Sequence, residues 1–169
     1  MLSNLDIDVT DGIEIPLGED ELTAICDAVL IAEGVMRPCY VSLSLVDDDE
    51  MREINLEWRD VDAVTDVISL ECERPDDPDL AQGEPCELGD IVLAPHFVSA
   101  QATSFGTTFA DECRLLFVHG LLHLLGYDHM EQDEALEMQA REEAILDVIP
   151  TDGTLTDVIL TRHREEGDA

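Results

Sequence analysis

The sequence contains no lysine, and its 8 basic residues are all arginines. Against them stand 41 acidic residues, which give a formal net charge of -33. Proteins that bind polyphosphates draw affinity from cationic side chains, so this balance argues against a general nucleic-acid-binding surface. It also suits a protein that stays soluble at high salt, where charge repulsion is screened within about 3 Å at 1 M.

Cysteine pairs and long apolar runs are also missing. The five cysteines are odd in number and form no Cys-x-x-Cys pair, which argues against a disulfide framework and against a thiolate zinc site. No apolar run approaches the ~18 residues of a membrane span, and the first residues lack the basic and apolar regions of a secretory signal. We therefore expect reduced cysteines, a soluble cytoplasmic protein and no membrane partner.

The chain shows no sign of internal division. It contains no Ser/Gly linker, no repeated block and no low-complexity tract, and 169 residues suit one domain. We predict one domain over residues 1–150, followed by a polar, acidic tail over residues 151–169. One apolar stretch of that tail, LTDVIL, either packs on the domain or frays.

The spacing of apolar residues predicts four strands and five helices. Strands are expected at residues 5–9, 40–46, 65–70 and 88–94, and the last two should pair with each other. Helices are expected at residues 18–34, 47–59, 95–105, 108–125 and 131–146, with Gly126 as the stop of the fourth. The Pro-, Asp- and Gly-rich residues 73–87 predict a flexible surface loop between the paired strands.

The residues most suited to chemistry are three histidines in HGLLHLLGYDH, residues 119–129. Side chains four residues apart share a helix face, so His119 and His123 present two imidazoles to one point. Gly126 frees the chain to turn back, so that His129 can reach the same point. Three neutral imidazoles with one open position are typical of a catalytic zinc site, whereas structural sites are usually closed by four protein ligands. The remaining histidines lack such neighbours and are not expected to be ligands: His96 and His163.

Gly120 separates this motif from the metzincin proteases, whose histidines have the same spacing. Those enzymes carry a glutamate directly after the first histidine, where it acts as the general base, so peptide hydrolysis is disfavoured here. A glycine at this place costs the helix about 1 kcal/mol. Two reasons for it stay open: it keeps space free beside the metal, or it lets a strand pack closely on the helix.

The histidine motif and three other stretches of the chain resemble the YbeY family of bacterial single-strand-specific endoribonucleases. HGLLHLLGYDH is similar to the family signature, including its Gly-Tyr-Asp-His ending. INLEWRDVDAVTDVISL resembles the family's Asn-x-x-(Tyr/Trp)-Arg segment and the Thr-Asp-Val-(Leu/Ile)-Ser segment after it, and LGDIVLA resembles its Leu-Gly-Asp-Ile strand. MQAREEAIL is similar to the final helix, so the resemblance covers roughly residues 40–147.

The resemblance implies an α+β fold, in which a single zincin-like domain has a small mixed four-stranded sheet packed with about five helices. It implies a YbeY-like metal-dependent hydrolase domain over residues 1–150, with one Zn²⁺ ion per chain held by His119, His123 and His129. It also implies an endoribonuclease that acts on single-stranded RNA in ribosomal RNA maturation, at the 3′ end of the small-subunit rRNA, and in ribosome quality control. The partners would be ribosomal RNA and, further, ribosomal proteins or assembly factors.

The family's functional arginine falls on Arg59. A guanidinium beside a dication suits phosphodiester cleavage, because its planar fork pairs with phosphate oxygens and stabilises charge in the transition state. The alternative for Arg59 is an ion pair with Asp60 or Asp62. Two other aspartates match family positions, Asp90 and Asp128, and Asp128 either orients a ligand histidine or is a solvated loop residue.

Three departures from the family pattern lower the expected affinity for phosphate. Val61, Val64 and Leu70 stand where the family commonly has Lys, Pro and Phe, so one candidate phosphate contact is missing. The net charge of -33 also opposes the binding of RNA. Either a dication and several arginines form a local positive cleft, or the protein works in a salt-rich cytoplasm where repulsion is screened. The arginines considered for such a cleft are Arg59, Arg37, Arg52 and Arg114.

Two other functions stay open. A metal-dependent amidase or peptidase would need another carboxylate in place of the missing glutamate. A non-catalytic ribosome-assembly protein would bind its partner through the acidic surface and would not need the histidines for its role.

Overall fold

The computed structural model describes residues 2–128 and 130–153, which form four strands and five helices. The strands are β1 (Ser3–Val9), β2 (Cys39–Leu45), β3 (Val67–Glu71) and β4 (Cys86–Leu93). The helices are α1 (Glu19–Ala32), α2 (Asp48–Arg59), α3 (Pro95–Phe105), α4 (Phe109–Leu124) and α5 (Gln132–Leu146).

The strands form one sheet in the order β1-β2-β4-β3. β1 and β4 run parallel to β2, and β3 runs antiparallel to β4. The predicted mixed four-stranded sheet with five helices, and with it the α+β class, is confirmed. The predicted pairing of the third and fourth strands is also confirmed.

Buried and more exposed residues alternate along β2 and distinguish the two faces of the sheet. Cys39, Val41, Leu43 and Leu45 are buried, whereas Tyr40 is exposed. The buried side chains join the main core, to which α1, α4 and α5 also contribute. The period of two therefore places the main core on one face of the sheet.

Helix α4 lies in the middle of the core. Its residues from Asp111 to Leu122 are all buried, which is typical of a helix enclosed on every side. Thr108 caps its N-terminus by accepting a hydrogen bond from the backbone N–H of Asp111 at 3.1 Å. The apolar enclosure fixes this helix, and Gly120 in its C-terminal half lies against Ser69 of β3.

A second, smaller cluster lies on the other face of the sheet. Met51 of α2 packs there with Ile68 of β3 and Val92 of β4. Asp47 caps α2 by accepting from the N–H of Glu50 at 2.8 Å. This packing fixes the direction of α2 and therefore the position of Arg59, the last residue of the helix.

The loop between the paired strands is shorter than predicted. β4 begins at Cys86, inside the predicted loop, because Cys86 pairs with Cys39 across the sheet and its N–H donates to the carbonyl of Pro38 at 2.9 Å. After β3, the N–H groups of Cys72 and Glu73 continue the bonds to β4. Cross-strand pairing therefore overrides the local Pro and Gly signal.

Residues 154–169 of the predicted tail, which include LTDVIL, lie outside the described residues. The predicted domain boundary at residue 150 therefore stays a prediction. All five cysteines lie within the described residues and are free thiols. In the part of the chain that the structure describes, no helix is long and apolar enough to cross a membrane.

Candidate metal centre and its cleft

His119 and His123 meet at the C-terminal turn of α4. Their Nε2 atoms are 3.0 Å apart, and the two rings cross at 82° with centroids 4.5 Å apart. His119 is buried, whereas His123 is partly exposed. The spacing of four residues therefore brings the two imidazoles together as predicted.

The other nitrogen of each ring has a protein acceptor. Nδ1 of His123 donates to the backbone carbonyl of Tyr127 at 2.9 Å, and Nδ1 of His119 donates to Oε1 of Glu142 at 2.5 Å. A carbonyl and a carboxylate only accept, so both Nδ1 atoms carry the hydrogen. In the neutral rings, both Nε2 atoms therefore present lone pairs.

These two lone pairs suit a shared cation. Two acceptors held 3.0 Å apart repel each other unless a positive charge lies beside both. Two imidazole nitrogens bound to one zinc ion at about 2.0–2.1 Å lie about 3.3 Å apart, which is close to the observed separation. Outer hydrogen bonds of this kind are also usual for metal-binding histidines. The donor set of His119 and His123 thus fits a dication.

The turn after α4 orients His123. Gly126 has φ +106°, and its N–H donates to the carbonyl of His123, while the N–H of Tyr127 donates to the carbonyl of Leu122, each at 3.0 Å. This is the bonding pattern of a Schellman motif, which confirms Gly126 as the helix stop. It also places the carbonyl of Tyr127 where Nδ1 of His123 needs an acceptor.

The third predicted ligand, His129, lies outside the described residues, as does His163. Within residues 2–128 and 130–153, no third His, Cys, Asp or Glu side chain completes a metal-binding group with the pair. His96 is exposed at the second position of α3. The ligand assignment of all three histidines stays a prediction.

Gly120 serves the packing of α4 on the sheet. A Cβ at this place would lie 3.2 Å from Cδ1 of Ile91 and 3.2 Å from Oγ of Ser69. The hydroxyl of Ser69 also donates to the carbonyl of Gly120 at 3.2 Å. Of the two reasons left open for this glycine, the structure favours close packing of a strand on the helix.

A cleft of about 440 Å³ opens beside the histidine pair. It is bordered by β3, by the residues before it, and by the ends of α2 and α4. Its lining residues include Arg59, Asp66, Glu71, His119, His123 and Asp128. Arg59 and the imidazoles, which are 60 or more positions apart in the sequence, therefore share one cavity.

Asp90, the other aspartate that matches a family position, does not join this site. It is exposed on β4 and lines a separate depression on the outer face of the sheet with Tyr40 and Ser42. Asp128 does border the histidine cleft. Only one of the two aspartates is thus placed to influence chemistry at the imidazoles.

The arginines differ in what surrounds them. Arg52 binds Asp62 at 2.6 Å, and Arg114 is buried against Asp111 and Glu21. Arg37 donates to backbone carbonyls at 2.7 and 3.1 Å. Arg74 binds Glu71 and Arg141 binds Glu33. Among the described arginines, Arg59 alone has no ion pair and no hydrogen bond within the described residues.

This arrangement bears on two of the alternatives. Asp62, one suggested partner of Arg59, is bound to Arg52, whose hydrogen bond and charge lower the pKa of the Asp62 carboxyl. Arg37, Arg52 and Arg114 are engaged elsewhere and do not line the cleft. The protein's own contribution of positive charge to the described cleft is therefore Arg59.

Three contributors to the site were missed by the sequence analysis. Asn55 is buried, and its Nδ2 donates to the carbonyl of Ala63 at 2.8 Å, which holds the loop that follows Arg59. Tyr127 contributes a backbone carbonyl, for which no side-chain signal exists. Glu142 had a signal, because it lies at helical spacing between the buried Met138 and Ile145.

Comparison with known proteins identifies the family. The sequence model of the family described as "Endoribonuclease YbeY" matches residues 9–150. The chain belongs to this family. The expected resemblance is thereby confirmed, and it extends further towards the N-terminus than the motifs suggested.

Relatives named "Endoribonuclease YbeY" match most of the chain. The protein of Moorella thermoacetica is 45% identical over 137 residues, which cover 78% of this chain and 88% of that protein. The protein of Mycobacterium bovis is 39% identical over 147 residues, which cover 85% and 82%. A solution structure from Thermotoga maritima matches with a TM-score of 0.56 at 24% identity, covering 96% of this chain and 93% of that one. That likeness supports the fold alone.

Proposed function

We propose that this protein is a zinc-dependent endoribonuclease that hydrolyses phosphodiester bonds in single-stranded RNA. The observation that carries the proposal is one cleft in which two imidazole Nε2 atoms lie 3.0 Å apart and Arg59 makes no ion pair within the described residues. Its family membership supports the same reaction class, because the relatives are named as endoribonucleases.

In this proposal His119, His123 and His129 hold one Zn²⁺ ion per chain. Both described imidazoles are set for that role, because their Nδ1 hydrogens are held by Glu142 and by the carbonyl of Tyr127. A zinc ion in such a site supplies Lewis acidity to a phosphoryl oxygen and activates water.

Arg59 would bind the scissile phosphate. Its guanidinium can donate two parallel hydrogen bonds to phosphate oxygens and neutralise the charge that develops on them. The αL conformation of Asp60, with φ 58°, ends α2 directly after Arg59, and Asn55 fixes the next loop. Arg59 therefore lies at the fixed C-terminal end of α2, and its side chain is exposed.

The charges around the cleft support a role for a dication in substrate binding. Asp66, Glu71 and Asp128 line it together with Arg59, so its lining side chains carry more negative than positive charge. Arg74 neutralises Glu71 through a 3.0 Å hydrogen bond. Two further positive charges from a bound metal would make the cleft attractive to phosphate.

The preference for single strands follows from the depth of the site. His119 is 3% exposed, so a phosphate must enter the cleft to approach its Nε2 atom. A flexible strand can bend into such a cleft, whereas the phosphates of a duplex follow a stiff helix. Family resemblance extends the proposal to cytoplasmic maturation of ribosomal RNA, to quality control of ribosomes, and to ribosomal proteins or assembly factors as partners.

A substrate panel tests the reaction class. Purified protein is incubated with labelled single-stranded RNA, the same RNA as a duplex, single-stranded DNA, and peptide and amide substrates. We expect cleavage of the single-stranded RNA, its loss in His123→Ala, and its retention in His96→Ala, because His96 is an exposed histidine outside the cleft. Cleavage of the peptide or amide substrates instead would favour the peptidase alternative.

A cellular test separates catalysis from binding. His119→Ala should abolish the biological role if the imidazole pair is needed for cleavage. If the variant folds and its role persists, the non-catalytic ribosome-assembly alternative would be favoured instead.

A further inference from the structure

The carboxylate of Glu142 is the most deeply buried charged group beside the histidine pair. Glu142 is 0% exposed and lies on α5 among the buried residues Met138, Ile145 and Leu146. Its Oε1 atom is 2.5 Å from Nδ1 of His119, which is 23 residues away in the sequence. Burying a carboxylate is costly unless it is hydrogen-bonded and paired with positive charge.

Nδ1 of His119 supplies such a hydrogen bond to the carboxylate. A positive charge on the far side of the ring, at Nε2, would compensate the carboxylate through the imidazole. The two Nε2 lone pairs mark that place, because they converge on it from His119 and His123.

The two rings differ in the group that holds them. His123 donates to an uncharged backbone carbonyl, whereas His119 donates to a carboxylate. A carboxylate polarises the N–H bond more strongly and makes the opposite nitrogen a better electron donor. It also fixes the ring, because His119 cannot rotate without breaking its hydrogen bond to a buried carboxylate.

We propose that Glu142 is a positioning residue for the metal site: it locks His119 in the Nδ1–H tautomer, aims Nε2 into the cleft and raises its affinity for a dication. The inference rests on the metal site of the proposed function. It also links the metal to the fold, since the carboxylate comes from α5 while both described imidazoles belong to α4. Metal binding should therefore strengthen the packing of α5 on α4.

The test is the zinc affinity of metal-free protein, measured by competition with a chromogenic chelator. Glu142→Gln keeps the size and an acceptor oxygen but removes the charge, and we expect it to weaken zinc binding about 10- to 100-fold. Glu143→Gln, the neighbouring residue on α5, is the matched control and should bind zinc as the unaltered protein does. A Glu142→Gln affinity within twofold of the control would overturn the proposal.

Two further readouts separate positioning from support of the fold. The melting temperature of metal-free Glu142→Gln should stay close to that of the Glu143→Gln control, because glutamine keeps the size and an acceptor oxygen for Nδ1 of His119. Replacement of a residue that only supports the fold would lower the melting temperature. In the unaltered protein, zinc should slow hydrogen exchange of the α5 amides, and this protection should shrink in Glu142→Gln. Equal protection in both proteins would count against the link to α5.

The results also show whether a failure concerns the role of Glu142 alone or the proposed metal site as well. If the unaltered protein binds no zinc, the metal site and the role of Glu142 fail together. If it binds zinc and cleaves RNA, but Glu142→Gln matches the Glu143→Gln control in zinc affinity, only the role of Glu142 fails.

Discussion

At the scale of single residues, Arg59 is the arginine among the described residues that is available to a ligand. The other described arginines contact carboxylates or backbone carbonyls, whereas Arg59 contacts neither within the described residues and lines the histidine cleft. In a chain with 41 acidic residues, an arginine that contacts neither a carboxylate nor a carbonyl within the described residues is well suited to bind a ligand. A phosphate is the ligand that suits a guanidinium beside the proposed metal site.

Arg59→Ala should lower kcat/KM for cleavage of single-stranded RNA about 10- to 100-fold, because hydrogen bonds to charged groups contribute about 1.5–3 kcal/mol. Initial cleavage rates at several RNA concentrations give this ratio. Arg52→Ala is the matched control, since Arg52 lies on the same helix but is bound to Asp62 and does not line the cleft. Equal activity in the two variants would remove Arg59 from the mechanism.

Single residues were predictable from the sequence only where the contact is local. The meeting of His119 and His123 follows from helix geometry, because four residues make about one turn. The contact between His119 and Glu142 depends on how α5 packs on α4, and no local rule gives it. The same holds for Arg59, whose place in the cleft was inferred from family resemblance and not from its neighbours.

At the scale of elements, the Schellman turn after α4 has two tasks. It ends the helix, and it turns the carbonyl of Tyr127 towards His123. Burial, and next a hydrogen bond to Glu33, raises the pKa of the Tyr127 phenol to about 12, so this side chain stays neutral at ordinary pH. The orientation of His123, a proposed metal ligand, therefore depends on a backbone turn that only glycine adopts readily.

Gly126→Ala should lower the stability by about 1–2 kcal/mol, because the positive φ disfavours a Cβ. The new Cβ would also lie 2.6 Å from the guanidinium of Arg74, which would have to move. Weaker zinc binding should accompany the loss. Thermal melting and zinc competition measure the two effects.

Gly106→Ala is the control for this variant. Gly106 ends α3 with φ +74° and has open space around its Cβ position, so it should lose similar stability without losing zinc affinity. Loss of zinc affinity in both variants would mean that general destabilisation, and not the turn at Tyr127, controls the site.

Most elements were predictable because each has its own periodicity and its own stop signals. α2, α3 and α4 begin and end within one or two residues of the predicted bounds, and Gly126 is the predicted helix stop. The early start of β4 was not predictable, because it is set by pairing with β2. The sheet order β1-β2-β4-β3 is likewise a property of the assembled elements.

At the scale of the whole molecule, the charge of -33 acts on the fold and on substrate binding together. Self-repulsion among the carboxylates destabilises the compact state at low salt. Repulsion of RNA by the same charges lowers its concentration near the cleft. Both effects weaken as salt rises, because the screening length falls from about 10 Å at 0.1 M to about 3 Å at 1 M.

The melting temperature should therefore rise as potassium chloride is raised from 0.1 M to molar concentrations. Thermal unfolding followed by circular dichroism measures the shift. A melting temperature that stays constant or falls would show that the acidic surface does not limit stability.

RNA cleavage over the same salt range separates the two accounts of substrate binding. Activity that persists or rises at molar salt supports adaptation to a salt-rich cytoplasm. Activity that only falls, as for a protein that depends on long-range attraction, would contradict that account and leave the local cleft of metal and Arg59 as the explanation.

The most direct test of the whole account is a zinc titration of metal-free protein, with cleavage of single-stranded RNA as the signal. We expect no cleavage without metal and a rise that reaches its plateau at one zinc ion per chain, because His119, His123 and His129 form one site. Full cleavage by the metal-free protein, or a plateau that does not depend on the zinc-to-protein ratio, would contradict the account.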